Sequence, residues 1–531
     1  MLKRRTLLQA TAASTLSTIG LPSSHVLAQT KSNTLRFVPQ ANLSVLDPIF
    51  TTAAVTITHG YCVFDTLYGV DSKLTAHPQM AESASVSNDE RIWTIRLRDG
   101  LRFHDGEPVR AQDCAASLLR WSKKDTFGLT LGAAVDAFEA ADDRTIRIRL
   151  KRPFPRLLDA IGKPHSSPAF MMPERLARTD PNTPITEMIG SGPFRFKQDE
   201  YVSGAKVVYE RNADYRPRTE RAEWTSGGKQ VHLDRLEWII IPDASTTAAA
   251  LQRGEIDWWE QPINDLIPLL QKTPQIKLQV QDPYGFMAVA RFNSTQPPFD
   301  NVKLREIVLS AVKQSDYMQA IMGTDESSWR TCTSSFPVGF PGVNAAFGTT
   351  RVGSQPDHAA ARAAVKAAGY KGEKVVIINP TDQPLIGPTG EITADLLKSI
   401  GFDVDLQDMD WGSVMSKRLS HEPPGHGGWN IYHTNWPSVS IANPALNTTI
   451  RGDGAWAGWF VDAEMERLVG EWVSSADPTA QQTLFNTIQN RALDQVPSLP
   501  LGMYFIRGAF RDSLADVSQG PACYFWGVRR V

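Results

Sequence analysis

The sequence contains little cysteine, little net charge and no long apolar run after its first residues. Four cysteines in 531 residues are spaced too widely for a zinc site, and we expect most of them to be free and buried. A formal net charge of -2 argues against nucleic acid and against an anionic membrane surface as partners. No apolar run beyond residue 28 is long enough to span a bilayer. These absences point to a globular protein with a small partner.

Motifs of catalysis are also missing or broken. Neither a Walker A loop nor a Gly-x-Ser-x-Gly elbow occurs. The run from His421 to His426 is similar to a zinc-protease helix, but its second histidine comes one residue late and Pro423-Pro424 breaks the helix. We therefore predict that the protein is not an enzyme and uses no cofactor and no metal. An exported hydrolase stays an alternative, and it would need a nucleophile beside a base.

The first residues have the pattern of an export signal. Lys3-Arg4-Arg5 is a positive start, residues 6–21 are mostly apolar, and Val26-Leu27-Ala28 offers a cleavage site. The paired arginines favour twin-arginine export, although Lys3 and Leu7 depart from that pattern and leave Sec export open. We predict a signal peptide over residues 1–28 and a periplasmic protein.

Short strand-like runs alternate with helical runs along the rest of the chain, which is typical of an α/β fold. Residues 35–38 and 145–150 are predicted strands, and residues 245–252 form a predicted helix that ends at Gly254. After residue 28 the chain still has about 500 residues, which is too many for a single core and enough for two or three domains.

One block of sequence, Ala81 to Trp121, carries the clearest family resemblance. It contains a strand at Trp93–Leu97, turns at Asp99-Gly100 and Asp105-Gly106, and a helix start at Gln112-Asp113. In this order these residues resemble the family 5 extracellular solute-binding proteins, which serve peptide-type and nickel-type ABC importers. Further similar segments are Gly190–Phe196, Gly254–Asp257, Phe292-Asn293 and Pro297–Asn301.

The resemblance implies a two-lobed periplasmic-binding-protein fold with an enlarged first lobe and a hinge of two crossovers. We place the crossovers near residues 282–285 and near Leu499-Pro500. The predicted bounds are residues 29–284 for the first lobe, with an inserted subdomain at about 49–180, residues 285–498 for the second lobe, and residues 499–531 for a return to the first lobe. Such a protein traps its ligand between the lobes when the hinge closes.

The resemblance also implies a function. The chain would be the periplasmic substrate-binding component of an ABC importer, a monomer that captures a small organic solute or a peptide and delivers it to an inner-membrane permease. In peptide-binding relatives a carboxylate in the second-lobe cleft wall holds the α-amino group. Here no Asp or Glu lies between Glu422 and Asp453. A buried ammonium without a carboxylate is costly, which disfavours an ordinary peptide unless an acid from elsewhere substitutes. A metal chelate or an opine-like solute stays an alternative.

Ten residues are predicted to line the ligand cleft. They combine a first-lobe loop, the first crossover, an arginine able to pair with a ligand carboxylate, and polar and aromatic positions of the second lobe: Phe50, Thr51, Tyr284, Arg351, Trp411, His433, Asn435, Trp436, Trp456 and Trp459. Tryptophans offer flat apolar walls and stacking surfaces. Core packing explains most of these aromatic positions equally well, and a lone loop arginine is more often a surface residue.

Overall fold

The computed structural model of the protein describes residues 33–353 and 356–531. The predicted signal peptide, residues 1–28, lies outside these residues. In the part of the chain that is described, no helix combines the length and the apolar character needed to cross a membrane.

The strands, in chain order, are β1 (Thr34–Val38), β2 (Asp65–Thr66), β3 (Tyr68–Val70), β4 (Ala76–Pro78), β5 (Ala81–Val86), β6 (Ile92–Leu97), β7 (Val135–Asp142), β8 (Thr145–Leu150), β9 (Phe170–Met171), β10 (Phe194–Phe196), β11 (Lys206–Arg211), β12 (Arg235–Ile239), β13 (Trp258–Trp259), β14 (Ile276–Val280), β15 (Phe286–Phe292), β16 (Trp329–Arg330), β17 (Lys374–Pro380), β18 (Asp403–Met409), β19 (Ile431–Pro437), β20 (Ser498–Tyr504), β21 (Arg507–Arg511), β22 (Leu514–Ala515) and β23 (Arg529–Arg530).

The α-helices are α1 (Ala54–Val63), α2 (Ala111–Trp121), α3 (Thr126–Ala134), α4 (Leu157–Gly162), α5 (Glu174–Ala177), α6 (Ala244–Arg253), α7 (Ile267–Gln271), α8 (Val302–Ala311), α9 (Gln314–Met322), α10 (His358–Ala367), α11 (Gly387–Ser399), α12 (Trp411–Lys417), α13 (Ala463–Ser474) and α14 (Pro478–Gln495).

Two large sheets organise these elements. The first sheet has seven strands in the order β10-β11-β12-β1-β13-β21-β14, and the second sheet has six in the order β16-β20-β15-β19-β17-β18. In the first sheet β1 runs parallel to β12 and β13, and in the second sheet β17 runs parallel to β18 and β19. This mixture of helices and partly parallel sheets confirms the predicted α/β fold class.

The chain passes between the two sheets at two adjacent places. The first passage, residues 281–285, joins β14 to β15, and the second, residues 505–506, joins β20 to β21. The passages lie side by side, because the Gln281 N–H donates to the Ile506 carbonyl at 2.9 Å. The second passage lies later than the predicted Leu499-Pro500, because β20 pairs with β15 along its whole length. The bounds of the two lobes stay predictions.

A smaller antiparallel sheet, with the strand order β5-β6-β8-β7, lies within the residues of the predicted insert. The alternation of β8 explains its placement: Ile146, Ile148 and Leu150 are buried, whereas Arg147 and Arg149 between them are exposed. One face of β8 therefore contributes to the core while the other faces solvent.

Two main hydrophobic cores hold the described chain together. One packs the second sheet against helices, with buried residues such as Val308, Leu397 and Ile431. The larger one joins first-sheet residues such as Phe37 to segments that follow the second sheet, including Val439. The smaller core therefore belongs to the second sheet alone, whereas the larger core contains residues from both halves of the fold. All four cysteines are free and buried, which confirms the expectation that most of them would be.

Candidate functional site

Polar side chains that are buried or, for Trp436, half-buried lie beside the two passages. On the first-sheet side these are Glu260 after β13, Asp282 after β14 and Tyr524 of the C-terminal segment, and on the second-sheet side Trp436 and Ser438 at the end of β19. We call these five residues the junction site. Ligands of open α/β sheets bind beyond the carboxyl ends of strands, and both Glu260 and Ser438 stand at such ends.

The local fold explains the position of Glu260. Helix α6 ends at Gly254, whose φ of 74° turns the chain sharply into β13. Because β13 runs parallel to β1, Glu260 emerges beside the end of β1, where its N–H donates to the Val38 carbonyl at 3.0 Å. Its Oε2 accepts the Gln40 N–H at 2.8 Å, and the thiol of Cys523 also hydrogen-bonds its carboxylate.

Asp282 occupies the first passage itself. One of its oxygens, Oδ1, accepts the N–H of Tyr284 at 2.9 Å, and the other, Oδ2, is buried without a hydrogen-bond partner among the described residues. Tyr524 interacts electrostatically with Asp282, and its own hydroxyl is likewise buried and unpartnered in the described chain. The C-terminal segment therefore brings Cys523 to Glu260 and the next residue, Tyr524, to Asp282.

The second sheet contributes two further polar groups at the same place. The Ser438 N–H donates to the Gly285 carbonyl at 2.9 Å, which attaches the end of β19 to the first passage. Trp436 lies opposite Met287 in the β15–β19 pairing. Within the residues that the structure describes, the Ser438 hydroxyl and the Trp436 Nε1 are buried without a hydrogen-bond partner. Groups of both sheets thus have unused hydrogen-bonding capacity in the junction site.

The electrostatics of the two carboxyl groups follow from their burial. Glu260 is 6% exposed and Asp282 is 3% exposed. No lysine, arginine or histidine of the described chain forms an ion pair with either group, and burial raises the pKa of each to about 7. An ionised carboxylate here is poorly solvated, so a bound cation would gain a strong interaction with it.

The structure brings together several of the predicted aromatic site residues. Trp411, Trp456 and Trp459 pack in one cluster against the second sheet. The ring centroid of Trp456 lies 5.8 Å from that of Trp436, and the Arg291 guanidinium lies 4.6 Å from the Trp456 ring. Trp436 therefore links this aromatic cluster to the junction site.

Two other predicted residues of β19 lie on the opposite face of the second sheet from Trp436. His433 is fully buried, and its Nε2 lies 2.7 Å from the Thr393 Oγ1. Burial lowers its pKa to about 3, so the imidazole is neutral. Asn435 donates from Nδ2 to the Leu385 carbonyl at 3.0 Å. Their side chains have protein partners on the side that packs against helices.

Phe50 and Thr51, in the loop before α1, and the loop residue Arg351 interact with neighbouring protein groups. Phe50 lies under the Lys124 ammonium, with 5.2 Å between the Nζ atom and the ring centroid, and the Thr51 hydroxyl accepts the Ala53 N–H at 3.2 Å. Arg351 pairs with Asp494 of α14.

Tyr284 lies in the first passage, as predicted. Its hydroxyl donates to the Ser72 carbonyl at 2.9 Å, and its ring centroid lies 4.3 Å from that of Phe340. The structure thus places Tyr284 and Trp436 at the passages, and each of the other eight predicted residues has the contacts described above. Contact of all ten residues with a ligand stays a prediction.

Sequence reasoning missed Glu260, Asp282, Ser438 and Tyr524. A signal was present for Glu260, because an acid directly after a buried strand falls at the edge where parallel strands end. Asp282 stands in the predicted crossover, but sequence alone does not show that its carboxylate is buried without a cation. Tyr524 gave no signal, since its closeness to Asp282 depends on the return of the C-terminal segment.

Comparisons with known proteins agree on one family. The model of the bacterial extracellular solute-binding proteins, family 5 Middle, matches residues 75–457. A Sinorhizobium fredii protein named "Probable peptide ABC transporter periplasmic-binding protein" is 34% identical over 506 residues, which cover 92% of each chain.

Two solved structures show the same fold at low identity. The agropinic-acid complex of the periplasmic binding protein AgaA from A. tumefaciens R10 has a TM-score of 0.77 at 20% identity and covers 94% of this chain and 99% of its own. The Met-Leu complex of a dipeptide binding protein from Pseudoalteromonas sp. SM9913 has a TM-score of 0.76 at 18% identity, with 94% and 100% coverage. The chain therefore has the fold of periplasmic binding proteins.

Proposed function

The chain belongs to the bacterial extracellular solute-binding proteins of family 5 and is the substrate-binding component of an ABC importer, and from this premise we propose that it traps one small organic solute at the junction site. The observation that carries the proposal is the convergence of unpartnered, buried polar groups from both sheets beside the two passages. A solute that bonds to both sides at once stabilises the closed arrangement of the sheets.

The finer parts of the function are proposals that rest on the family. We place the protein in the periplasm, exported by residues 1–28 through the twin-arginine pathway, where it acts as a monomer and passes its solute to an inner-membrane permease. We infer binding without chemical turnover, so the solute is expected to leave the protein unchanged.

The ligand class stays open between a peptide and an opine-like solute. The Sinorhizobium relative is named for peptide transport, whereas the AgaA structure holds agropinic acid. The absence of an acid between Glu422 and Asp453 argues against a peptide anchored there, but Glu260 and Asp282 offer acids at the junction site. A metal chelate loses its support from His433, whose imidazole bonds to Thr393 inside the core.

The test is mass spectrometry of the purified mature protein, first native and then denatured. We expect one small solute per chain in the native spectrum, and its free, unmodified mass after denaturation. A peptide would favour the peptide alternative, and a non-peptide solute the opine-like one. Protein that carries nothing, and that no solute stabilises in a thermal-shift panel, would argue against solute capture. A solute released in altered form would favour the hydrolase.

A further inference from the structure

Buried carboxyl groups in the described chain have partners of three kinds. Five are paired with a cation: Asp47 with Arg120, Asp65 with Lys229, Asp125 with Lys163, Asp257 with Arg530, and Asp462 with Arg491. Asp113, at the start of α2, accepts the backbone N–H groups of Arg110 and Glu174. Glu260 and Asp282 are the two others that are buried, and neither has a cation. Glu260 accepts the Gln40 N–H and the Cys523 thiol, and the Asp282 carboxyl group interacts with the N–H groups of Tyr284 and Gly285.

These two exceptions lie against the same short segment. Cys523 hydrogen-bonds Glu260, and Tyr524 interacts with Asp282. A carboxylate only accepts hydrogen bonds and offers about four acceptor sites, so two donors leave part of its capacity unused. Ammonium and guanidinium groups carry three and five N–H donors and form short charge-assisted bonds with carboxylates. An organic cation with several N–H donors would complete the hydrogen bonding of Glu260 and Asp282 and neutralise their charge.

We propose that the junction site recognises solutes that carry an ammonium or guanidinium group, and that Glu260 and Asp282 hold this group. This inference rests on the proposed function and narrows its ligand class. The acids of the first-sheet side supply the negative charge that the segment after β19 lacks. Across the site, the Trp436 N–H and the Ser438 hydroxyl can donate to a carbonyl or carboxylate of the same solute.

An aromatic wall accompanies the two acids. The Tyr524 ring is stacked on Trp526 with 4.8 Å between ring centroids, and the Tyr61 ring lies 5.6 Å from Tyr524. Aromatic faces attract organic cations, and apolar walls weaken the competition of water for the carboxylates. Lys229 already lies over Tyr61 and Trp526, with its charge matched by Asp65. The charge of Lys229 therefore does not cancel that of Glu260 and Asp282.

The experiment compares solutes that differ by one positive charge. Wild-type protein is freed of bound solute and incubated with an equimolar mixture of three pairs, in each of which only the first member has a cationic group: n-butylguanidine and n-butylurea, L-norleucine and N-acetyl-L-norleucine, and Met-Leu and N-acetyl-Met-Leu. A second sample receives a protein-free extract of the expression host. Retained solutes are identified by mass spectrometry after gel filtration, and their affinities are measured by calorimetry with wild type, Glu260→Gln and Asp282→Asn.

We expect a retained solute to carry an ammonium or guanidinium group and to outcompete the member of its pair that lacks this group. Each variant should lower its affinity about 30-fold or more, because a bound cation then loses a buried partner. Both substitutions are close to isosteric and remove a buried charge, so both variants should fold, as circular dichroism can verify. The control is Glu255→Gln, a neighbouring exposed glutamate paired with Arg253, which should leave the affinity unchanged.

The outcomes separate the two proposals. If wild type retains a solute without a cationic group, or if the double variant Glu260→Gln/Asp282→Asn binds the cationic solute as tightly as wild type, the cation inference is wrong and solute capture stands. If wild type retains nothing from either sample, solute capture itself fails, and the cation inference fails with it.

Discussion

Two regions of the molecule bury carboxylates in opposite ways. In the region around α2 and α3, the side chains of Asp47 and Asp125 are at most 2% exposed, and each lies 2.7 Å from a buried Arg or Lys nitrogen. In the junction site, Glu260 and Asp282 are almost as buried but have no cation. In the first region a side chain of the protein neutralises each carboxylate, whereas in the second region we propose that a bound solute supplies the positive charge. A buried carboxylate without a cation lowers stability, and such exceptions are expected at functional sites.

The largest effect is expected when a completed pair is broken. Arg120 donates to both oxygens of Asp47, at 3.2 and 2.7 Å. Arg120→Met leaves Asp47 buried with backbone donors only, which should cost about 3–5 kcal/mol of unfolding free energy. Urea unfolding, followed by tryptophan fluorescence, measures the loss. In the same assay Glu260→Gln, which removes a charge that has no cation, should cost nothing.

The control for this comparison is Arg178→Met. Arg178 pairs with Glu174 on the surface and is 74% exposed in its side chain, so its removal should cost at most about 1 kcal/mol. If Arg120→Met were as mild as Arg178→Met, buried pairing would not distinguish the two regions.

The pH dependence of stability should show the second largest effect. The folded-state pKa of Glu260 and of Asp282, about 7 each, lies above the unfolded values near 4. Between these values the folded solute-free protein binds more protons than the unfolded chain, so these groups lower stability as the pH rises from about 4 to about 7. The double variant Glu260→Gln/Asp282→Asn lacks this loss. Its advantage over wild type should grow from pH 5 to pH 8 by on the order of 2 kcal/mol for each of the two groups.

Unfolding in parallel buffers of equal ionic strength measures this difference. Buried histidines act with the opposite sign: burial lowers the pKa of His59 and His433 to about 3, and their contribution is lost as the pH falls below about 6.5. Both proteins contain these histidines, so they cancel in the difference. A difference that is constant with pH would mean that the two carboxyl groups are better solvated than their burial indicates.

The comparison also explains how far sequence reasoning could reach. The α/β class follows from local patterns, because strand alternation, turn residues and helix ends such as Gly254 are encoded within a few residues. The two crossovers were placed through the family resemblance. The second crossover was misplaced because β20 continues to Tyr504 through pairing with β15, which is a long-range contact. The residues of β20 alone do not show where the strand ends, because its end depends on pairing with a strand about 200 residues earlier in the sequence.

The same limit applies to the site. Tyr284 and Trp436 lie at the passages, and they were predicted from the family resemblance and from the strand that ends at Pro437. The absence of an acid between Glu422 and Asp453 was visible in the sequence, whereas the burial of Glu260 and Asp282 beside the passages was not. Whether a carboxylate is paired depends on cations hundreds of residues away, as Lys229 and Asp65 illustrate. That a carboxylate has no cation can therefore be recognised only when the positions of all lysines and arginines in the fold are known.

A smaller effect is expected from the second-sheet side of the junction site. Ser438→Ala removes a buried hydroxyl that has no partner in the described chain, so the stability of the solute-free protein should be unchanged. Affinity for the captured solute should fall about fivefold to tenfold, the value of about 1 kcal/mol for one hydrogen bond. Ser440→Ala is the matched control: its hydroxyl lies 2.9 Å from the His165 Nδ1, so its loss should lower stability and spare affinity. The reverse pattern would place the solute nearer to His165.

The smallest effect is expected at Arg351, which the sequence offered as a ligand contact. Its guanidinium pairs with Asp494 at the surface, where the two side chains are 35% and 54% exposed. Arg351→Ala should lower the unfolding free energy by at most about 1 kcal/mol, with less effect at high salt, because water screens an exposed pair. Calorimetry should find the affinity for solute unchanged. A tenfold loss of affinity would instead show that Arg351 leaves Asp494 and pairs with the ligand. A residue of a surface ion pair would then bind solute, as we propose for Glu260 and Asp282.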